Sequence, residues 1–249
     1  MSEFLAKISC FWFFYRWHPE VALRYLPIVY EIKKMSHQVK ILEVGSGGLG
    51  IVPYLKKPID GVDINFQPPF HPLLKKIKGS ILNLPFKNNS YDVVISVDML
   101  EHLSKKDRNK AINEMFRVAK QKIIIAVPCG QAAYNQDVLL DQYYRRNLGN
   151  SFHFLKEQIL FGLPEKKDIY NIACKAARDY NKKITVRIEG NENLKLRIFL
   201  MKGWVSNNIF INIIFRKLFL FFIPIFRLFN QPPNYRQLFF IDIHNEDSN

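Results

Sequence analysis

Three closely spaced glycines follow a short apolar run in the first quarter of the chain. The segment "ILEVGSGGLG" spans residues 41–50, and Glu43 stands directly ahead of Gly45, Gly47 and Gly50. Because glycine has no Cβ, such a turn lets backbone N–H groups and a following helix N-terminus approach a ligand closely. The spacing fits the G-x-G-x-x-G pattern of dinucleotide sites, and it predicts a nucleotide-type cofactor.

An acid at the end of the next apolar run supports this prediction. Asp63 closes the segment "IDGVDI", where an acidic side chain can bind the ribose hydroxyls of a nucleoside cofactor. The acid fits NAD as well as other nucleoside cofactors, so it does not discriminate between them. Hydride transfer is disfavoured, because the chain shows no candidate tyrosine–lysine pair and no second domain.

A second polar group follows the segment "YDVVISVD", and it contains Asp98, Glu101 and His102. In open α/β sheets, ligands bind at the carboxyl ends of the strands, so these side chains are expected to face the cofactor and a second substrate. Transfer of a group to a hydroxyl would need positioning and removal of a proton. His102 is the natural candidate for the base.

Alternating β-branched and helical segments must position these residues. They predict a doubly wound, seven-stranded, mostly parallel α/β sheet. The expected strands are residues 39–44, 59–64, 77–81, 91–98, 122–128, 182–190 and 236–244. The segment 104–120 predicts an amphipathic crossover helix with Ser104 as its N-cap, and a further helix is expected over residues 165–180.

The predicted organisation is one α/β domain over residues 39–249, preceded by a helical, aromatic cover over residues 1–38. One or two helices are expected to be inserted at residues 191–235. The longest apolar run of this insertion, residues 218–226, is shorter than the about 20 residues that span a bilayer. The insertion could contact a membrane interface, pack over the sheet edge or form a dimer.

Charge and cysteine content limit the partners and the compartment. The 36 Lys and Arg residues exceed the 22 Asp and Glu residues, and the net charge of +14 favours nucleic acid, a membrane surface or phosphorylated substrates. Three cysteines are too few and too dispersed for a disulfide framework. The N-terminus does not resemble a signal peptide, so a cytoplasmic location is expected. If the protein associates with a membrane, a peripheral position at the inner membrane face is expected.

The motifs "LEVGSG", "GVDIN", "KGSILNLPFKNNSYDVVISVDMLEHL" and "NEMFRVAKQKIIIAVP" decide between the cofactors when taken together. In order and spacing they resemble the class I S-adenosylmethionine-dependent methyltransferases, in particular the small-molecule type 11 group, over residues 39–130. The resemblance implies a Rossmann-like fold and S-adenosylmethionine as cofactor. It implies a cofactor site formed by Glu43, Gly45, Ser46, Gly47, Asp63, Ile64, Ser80, Ile81 and Asp98.

The resemblance implies that Glu43 acts through the glycine loop to help position the amino end of the cofactor's methionine moiety. It implies that Asp63 binds the ribose and that Ile64 lies beside the adenine. Gly50 is expected only to ease the start of a helix. Two departures stand out: Leu49 replaces a glycine that is frequent in the family, and Ser80 replaces an acid that meets the adenine. A hydroxyl can still accept a hydrogen bond.

The spacing of Asp98, Glu101 and His102 also resembles the metal-ligand set of the ubiquinone O-methyltransferases and the small-RNA 2′-O-methyltransferases. In the RNA enzymes a downstream histidine completes that set, and His153 has a suitable position. A divalent metal, a role as base or substrate contact, and a purely structural role all remain open for His102. His102 and His153 are the candidate catalytic residues.

Looser matches concern the acceptor. The segments "FHFLKEQILFGLP", "PNYRQLFF" and "HPEVALRYLP" resemble methyltransferases of cell-surface polysaccharide synthesis. They favour O-methylation of a carbohydrate or lipid-linked glycan, with an RNA methyltransferase or a non-catalytic scaffold at the membrane as alternatives. Cys129 is not favoured as a cytosine-5 nucleophile, because DNA-type enzymes place this cysteine after strand four.

Overall fold

The computed structural model describes residues 18–35, 38–204 and 208–244. In this part of the chain, seven strands form one sheet in the order β3-β2-β1-β4-β5-β7-β6. The strands are β1 Ile41–Val44, β2 Ile59–Asp63, β3 Leu74–Lys78, β4 Tyr91–Val97, β5 Ala119–Pro128, β6 Lys183–Asn193 and β7 Asn234–His244. β1 to β5 are parallel, and β7 runs antiparallel to both β5 and β6. The predicted doubly wound, mostly parallel sheet is confirmed.

The third strand lies earlier than predicted. The sequence placed it at residues 77–81, whereas β3 ends at Lys78. Gly79 then leads into a turn in which Ser80 forms an isolated bridge with Asn83. The three lysines of Leu74–Lys78 suit an edge strand, which is buried only in part.

Helices cover both faces of the sheet. They are α1 Pro19–Lys33, α2 Val52–Leu55, α3 Lys105–Val118, α4 Gln131–Leu148, α5 His153–Phe161, α6 Lys166–Asp179, α7 Leu194–Trp204, α8 Ile209–Arg216 and α9 Ile223–Phe226. Short 3₁₀ turns occupy Leu100–His102 and Leu218–Phe222. The Ser104 hydroxyl accepts from the backbone N–H of Asp107, so the expected N-cap of α3 is present.

The segment between β6 and β7 contains α7, α8, the second 3₁₀ turn and α9. Buried residues of α7 pack onto the body of the domain, whereas α8 and the residues after it expose many large apolar side chains. These are Phe210, Ile211, Ile213, Ile214, Leu218, Phe221, Phe222, Ile225, Leu228 and Phe229. Among the described helices, none is long and apolar enough to cross a bilayer. The predicted aromatic cover falls largely on residues 1–17, which lie outside the described residues.

Candidate active site

The glycine turn at the carboxyl end of β1 has left-handed backbone conformations at all three predicted glycines, with φ of +74° at Gly45, +54° at Gly47 and +52° at Gly50. A Cβ on Gly45 would overlap the Met99 side chain, and one on Gly50 would overlap the Glu43 carboxyl group. Gly47 instead faces open space. Gly47 therefore leaves room for a ligand, while Gly50 does more than ease a helix start, because it makes room for Glu43.

Glu43 is fully buried beneath this turn. Its Oε2 accepts from the backbone N–H of Ile51 at 2.7 Å, and its Oε1 accepts from the Tyr25 hydroxyl at 2.9 Å. Burial raises the pKa of Glu43 to about 7, although both hydrogen bonds oppose the shift. Glu43 therefore ties the end of the glycine loop to α1, and it can influence a ligand only through the loop.

Asp63 ends β2 beside the glycine turn. Its Oδ2 accepts from the backbone N–H of Gly47 at 2.9 Å, and its Oδ1 accepts from that of Asn65 at 3.0 Å. Each carboxylate oxygen can accept a further bond, which a ribose hydroxyl can supply. Ile64 follows directly and is 68% exposed. The fold thus brings Gly47, Asp63 and Ile64 to the same edge of the sheet.

The other predicted cofactor residues lie around this edge in less direct positions. The Ser80 hydroxyl accepts from the Leu82 N–H at 3.2 Å, and the Ile81 side chain is buried in the core. Ser46 is buried, and its hydroxyl donates to the Gly47 carbonyl at 3.2 Å. These three side chains shape the turns that surround the edge.

Asp98 has a different set of partners from those expected of a cofactor contact. Its Oδ1 accepts from Arg236 Nε at 2.5 Å, and its Oδ2 accepts from Arg236 Nη2 at 2.6 Å. Arg24 Nη1 lies 3.1 Å from the same Oδ2. Two guanidinium groups thus engage the carboxylate that was predicted to meet the cofactor, because β7 and α1 both converge on the end of β4.

Arg236 is the centre of a buried charge cluster. It is fully buried, and it also lies 3.3 Å from Glu20 and 3.4 Å from Glu192. Burial alone would raise the pKa of Glu20, but Arg24 and Arg236 hold it at about 2. The sequence analysis did not identify Glu20, Arg24 or Arg236 as site residues. One signal was available, since an arginine within the apolar strand "NYRQLFFIDIH" requires a buried partner.

His102 is held by a carboxylate from α5. Its Nδ1 lies 2.8 Å from Oε2 of Glu157, and its Nε2 lies 4.0 Å from Oε1 of the buried Glu101. Donation from Nδ1 to Glu157 would leave Nε2 as the basic nitrogen of the ring. His153 is placed differently, because its side chain is 83% exposed and lies 3.5 Å from the other oxygen of Glu157.

The proposed metal ligands do not converge. Among the described residues, no group of three or more His, Cys, Asp or Glu side chains could hold a metal ion. The Asp98 oxygens face arginines, and Glu101 is buried, with a pKa that burial and the nearby Asp98 raise well above its ordinary value. This donor set does not fit a divalent cation.

A cavity of about 670 Å³ adjoins the glycine turn. Leu49, Asp98 and His102 line it, and so do His18, Trp204 and Arg216. Leu49, which departs from the family pattern, is therefore a wall of this cavity. Its size suits a small-molecule acceptor or the head of a larger one. His153 does not belong to its lining.

Cys129 offers no nucleophile. The thiol is buried, and burial raises its pKa well above its usual range. A thiol in that environment has little thiolate character, so the cytosine-5 mechanism has no support.

Comparison with known proteins agrees with this geometry. Residues 42–127 match the family model described as a methyltransferase domain. An uncharacterised protein of Methanocaldococcus jannaschii is 27% identical, with 52% of this chain and 65% of that protein covered. Norajmaline N-methyltransferase of Rauvolfia serpentina is 30% identical, with 39% of this chain and 25% of that enzyme covered. The chain thus spans less than two thirds of either curated relative.

A solved structure shares the fold over most of the chain. Phosphoethanolamine N-methyltransferase 2 of Haemonchus contortus, in complex with S-adenosyl-L-methionine, superposes with a TM-score of 0.52 at 15% identity. The superposition covers 89% of this chain and 52% of that enzyme. Residues 42–127 thus resemble a methyltransferase domain, and the chain has the Rossmann-like fold of a solved methyltransferase.

Proposed function

We propose that this protein transfers a methyl group from S-adenosylmethionine to a hydroxyl of a carbohydrate or a lipid-linked glycan. The observation that carries the proposal is the proximity of the open glycine turn to a cavity at the carboxyl edge of the sheet. Gly47 leaves open space beside the Asp63 carboxylate, and Leu49, two residues further on, lines the cavity together with His102. One space suits a nucleoside cofactor, and the other suits its acceptor.

The residues at this edge fit S-adenosylmethionine. Gly47 leaves space where a Cβ would project, and Asp63 offers carboxylate oxygens to a ribose. Glu43 keeps the loop in place from below. When bound, the cofactor supplies an electrophilic methyl group.

His102 is the residue best placed to remove the hydroxyl proton. It lines the cavity, and Glu157 holds its Nδ1 at 2.8 Å. A carboxylate in this position fixes the ring and stabilises the imidazolium that forms when Nε2 takes up a proton. His153 shares Glu157 but lies outside the cavity lining, so His102 is the better candidate base.

The insertion supports a lipid-linked acceptor and a peripheral position at the inner membrane face. Residues 208–233 contain three basic residues and no acid. Phe210 and Phe221 are 74% and 73% exposed in this segment. Apolar side chains combined with cations are typical of segments that lie in the interface of an anionic membrane.

Calorimetric titration with S-adenosylhomocysteine tests the cofactor part of the proposal. The wild-type protein should bind, and Asp63→Ala should weaken binding at least about tenfold, because it removes charge-assisted hydrogen bonds. Asp179→Ala, an exposed acid at the end of α6, is the matched control and should bind as the wild type does. Absence of binding at millimolar ligand would refute the methyltransferase proposal, and equal affinity of Asp63→Ala would refute the ribose contact.

A further inference from the structure

One end of the cavity is lined by three side chains that come from different elements and lie close together. His18 precedes α1, Trp204 ends α7 and Arg216 ends α8. The His18 ring meets Trp204 edge-on, with 5.8 Å between ring centroids, and the Arg216 guanidinium lies 5.1 Å from the centre of the Trp204 ring. The Trp204 ring thus contacts both the His18 imidazole and the Arg216 guanidinium.

This end of the cavity carries uncompensated positive charge. Burial lowers the pKa of His18 to about 4; Glu20 opposes this shift, and Arg216, Arg24 and Lys217 add to it. Arg24 is neutralised by Glu20 and Asp98. Arg216 forms no ion pair with a carboxylate in the described part of the chain. An anion at this position would meet a guanidinium for which no described carboxylate competes.

His18 also has unused hydrogen-bonding capacity. Both ring nitrogens are shielded from water and have no hydrogen-bond partner among the described residues. A buried polar atom without a partner costs free energy, so a bound group that supplies the missing bond is favoured.

Exposed apolar side chains of α8, such as Phe210 and Ile213, lead to Arg216 at the last residue of that helix. The same cavity is also lined by Asp98 and by Leu49 beside the glycine turn. Arg216 thus joins the exposed apolar side chains of α8 to the lining of this cavity.

We propose that His18 and Arg216 bind the phosphate group of a sugar-phosphate acceptor, either free or carried on a lipid. The proposal rests on the proposed function, because it assigns part of the acceptor of that methyl transfer. Guanidinium groups pair with phosphate through charge-assisted hydrogen bonds, and an imidazole can add one more. The sugar then occupies the cavity between this phosphate and the cofactor edge.

Calorimetry on the full chain tests the phosphate contact with glucose 1-phosphate and methyl glucoside as probes. The phosphorylated probe should bind at least about tenfold more tightly, and Arg216→Ala should abolish that advantage while Arg216→Lys retains part of it. Arg178→Ala on α6 removes the same charge at an exposed position away from the cavity, and it should bind as the wild type does. Equal losses in the two alanine variants would indicate general charge attraction and overturn the site.

Nuclear magnetic resonance of His18 gives a readout that does not depend on activity. A phosphate beside the ring favours the imidazolium, so glucose 1-phosphate should raise the His18 pKa by about one unit or more in the wild type. Arg216→Ala should show a smaller rise because the phosphate is no longer held. An unchanged His18 pKa in a saturated wild-type sample would contradict the contact.

Vesicles distinguish the two sources of the phosphate. If the free sugar phosphate is the ligand, glucose 1-phosphate binds in the absence of membrane. If the phosphate comes with a lipid, binding to phosphatidate-containing vesicles should depend on Arg216 and not on Arg178. If neither the binding of glucose 1-phosphate nor the binding of phosphatidate-containing vesicles depends on Arg216, the proposal is overturned. Titration of the same variants with S-adenosylhomocysteine reports separately on the methyltransferase proposal, since Arg216 does not contact the glycine turn.

Discussion

The fully buried Glu43 carboxyl group can influence a ligand only through the glycine loop. It is enclosed between the Ile51 N–H and the Tyr25 hydroxyl, and Gly50 lacks the Cβ that would displace it. Both neighbours donate hydrogen bonds, yet burial is the larger effect and raises the pKa of Glu43 to about 7. The conformation of the cofactor loop is therefore linked to the protonation of this acid.

Glu43→Gln should change how the stability depends on pH. The folded-state pKa of about 7 exceeds the ordinary value of 4.5, so the folded protein retains a proton that the unfolded chain releases between these pH values. The wild type should lose stability as pH rises through this window and level off above pH 7, with at most about 3 kcal/mol due to Glu43. Glutamine does not ionise and should lack this loss. Urea denaturation at several pH values measures the difference.

The exposed Glu165→Gln variant at the start of α6 is the control, and it should retain the wild-type pH profile. Parallel profiles for the wild type and Glu43→Gln would contradict the prediction, because they would mean that Glu43 binds no additional proton in the fold.

At the scale of elements, the segment between β6 and β7 divides into two parts with different surroundings. Helix α7 is joined to the domain by Arg197, which lies 2.7 Å from Asp137 and 2.9 Å from Gln136 on α4. Helix α8 and the residues up to the start of β7 instead expose large apolar side chains. The second part is thus available to contact another surface, and the first part fixes it beside the cavity.

The double variant Phe210→Ser and Phe221→Ser should weaken binding to vesicles of phosphatidylcholine and phosphatidylglycerol at least about tenfold. Each phenylalanine contributes roughly 1.5–3 kcal/mol when fully buried, so partial insertion of two accounts for this loss. Vesicle sedimentation measures the effect. Leu160→Ser on α5 is the matched control, since Leu160 is 76% exposed outside the insertion. Similar binding of the double variant and the wild type would contradict a membrane role for the segment.

At the scale of the whole molecule, buried charges join parts of the chain that are far apart in sequence. Arg236 on β7 meets Asp98 after β4, Glu20 on α1 and Glu192 on β6. Removing one member of such a cluster would leave other charges buried without a partner, so the cluster fixes the relative positions of these elements. The cavity wall depends on them, because Glu20, Asp98 and Arg236 all line it.

The net charge of +14 suits binding to an anionic membrane as well as to RNA. Transfer of labelled methyl groups distinguishes a glycan or lipid-linked acceptor from an RNA acceptor. With labelled S-adenosylmethionine and fractionated extracts, the label should enter the lipid and glycan fractions, and His102→Ala should reduce it about a hundredfold or more. His153→Ala is the control and should retain most of the activity. Label confined to RNA, together with a steep salt dependence of RNA binding, would favour the RNA methyltransferase alternative.

Much of the fold and the glycine turn could be predicted because the responsible signals are local. Apolar runs such as 122–128 indicate strands buried on both faces, and Ser104 with Asp107 marks a helix start. β3 was placed too late in the sequence because three lysines among its five residues resemble a surface segment rather than a strand. The roles assigned to Asp63, Ser80 and His102 stay predictions that the titrations above address.

The sequence by itself determined the order of strands and helices, the glycine turn and the acid that ends β2, since each depends on residues adjacent in the chain. Only the tertiary structure decided that Asp98 is engaged by arginines, that Gly50 makes room for Glu43, and that His18 and Arg216 share one cavity. The physical reason is distance along the chain. Pairings such as that of Asp98 with Arg236 arise only when the sheet brings separate strands together, so they cannot be predicted from residue spacing in the sequence.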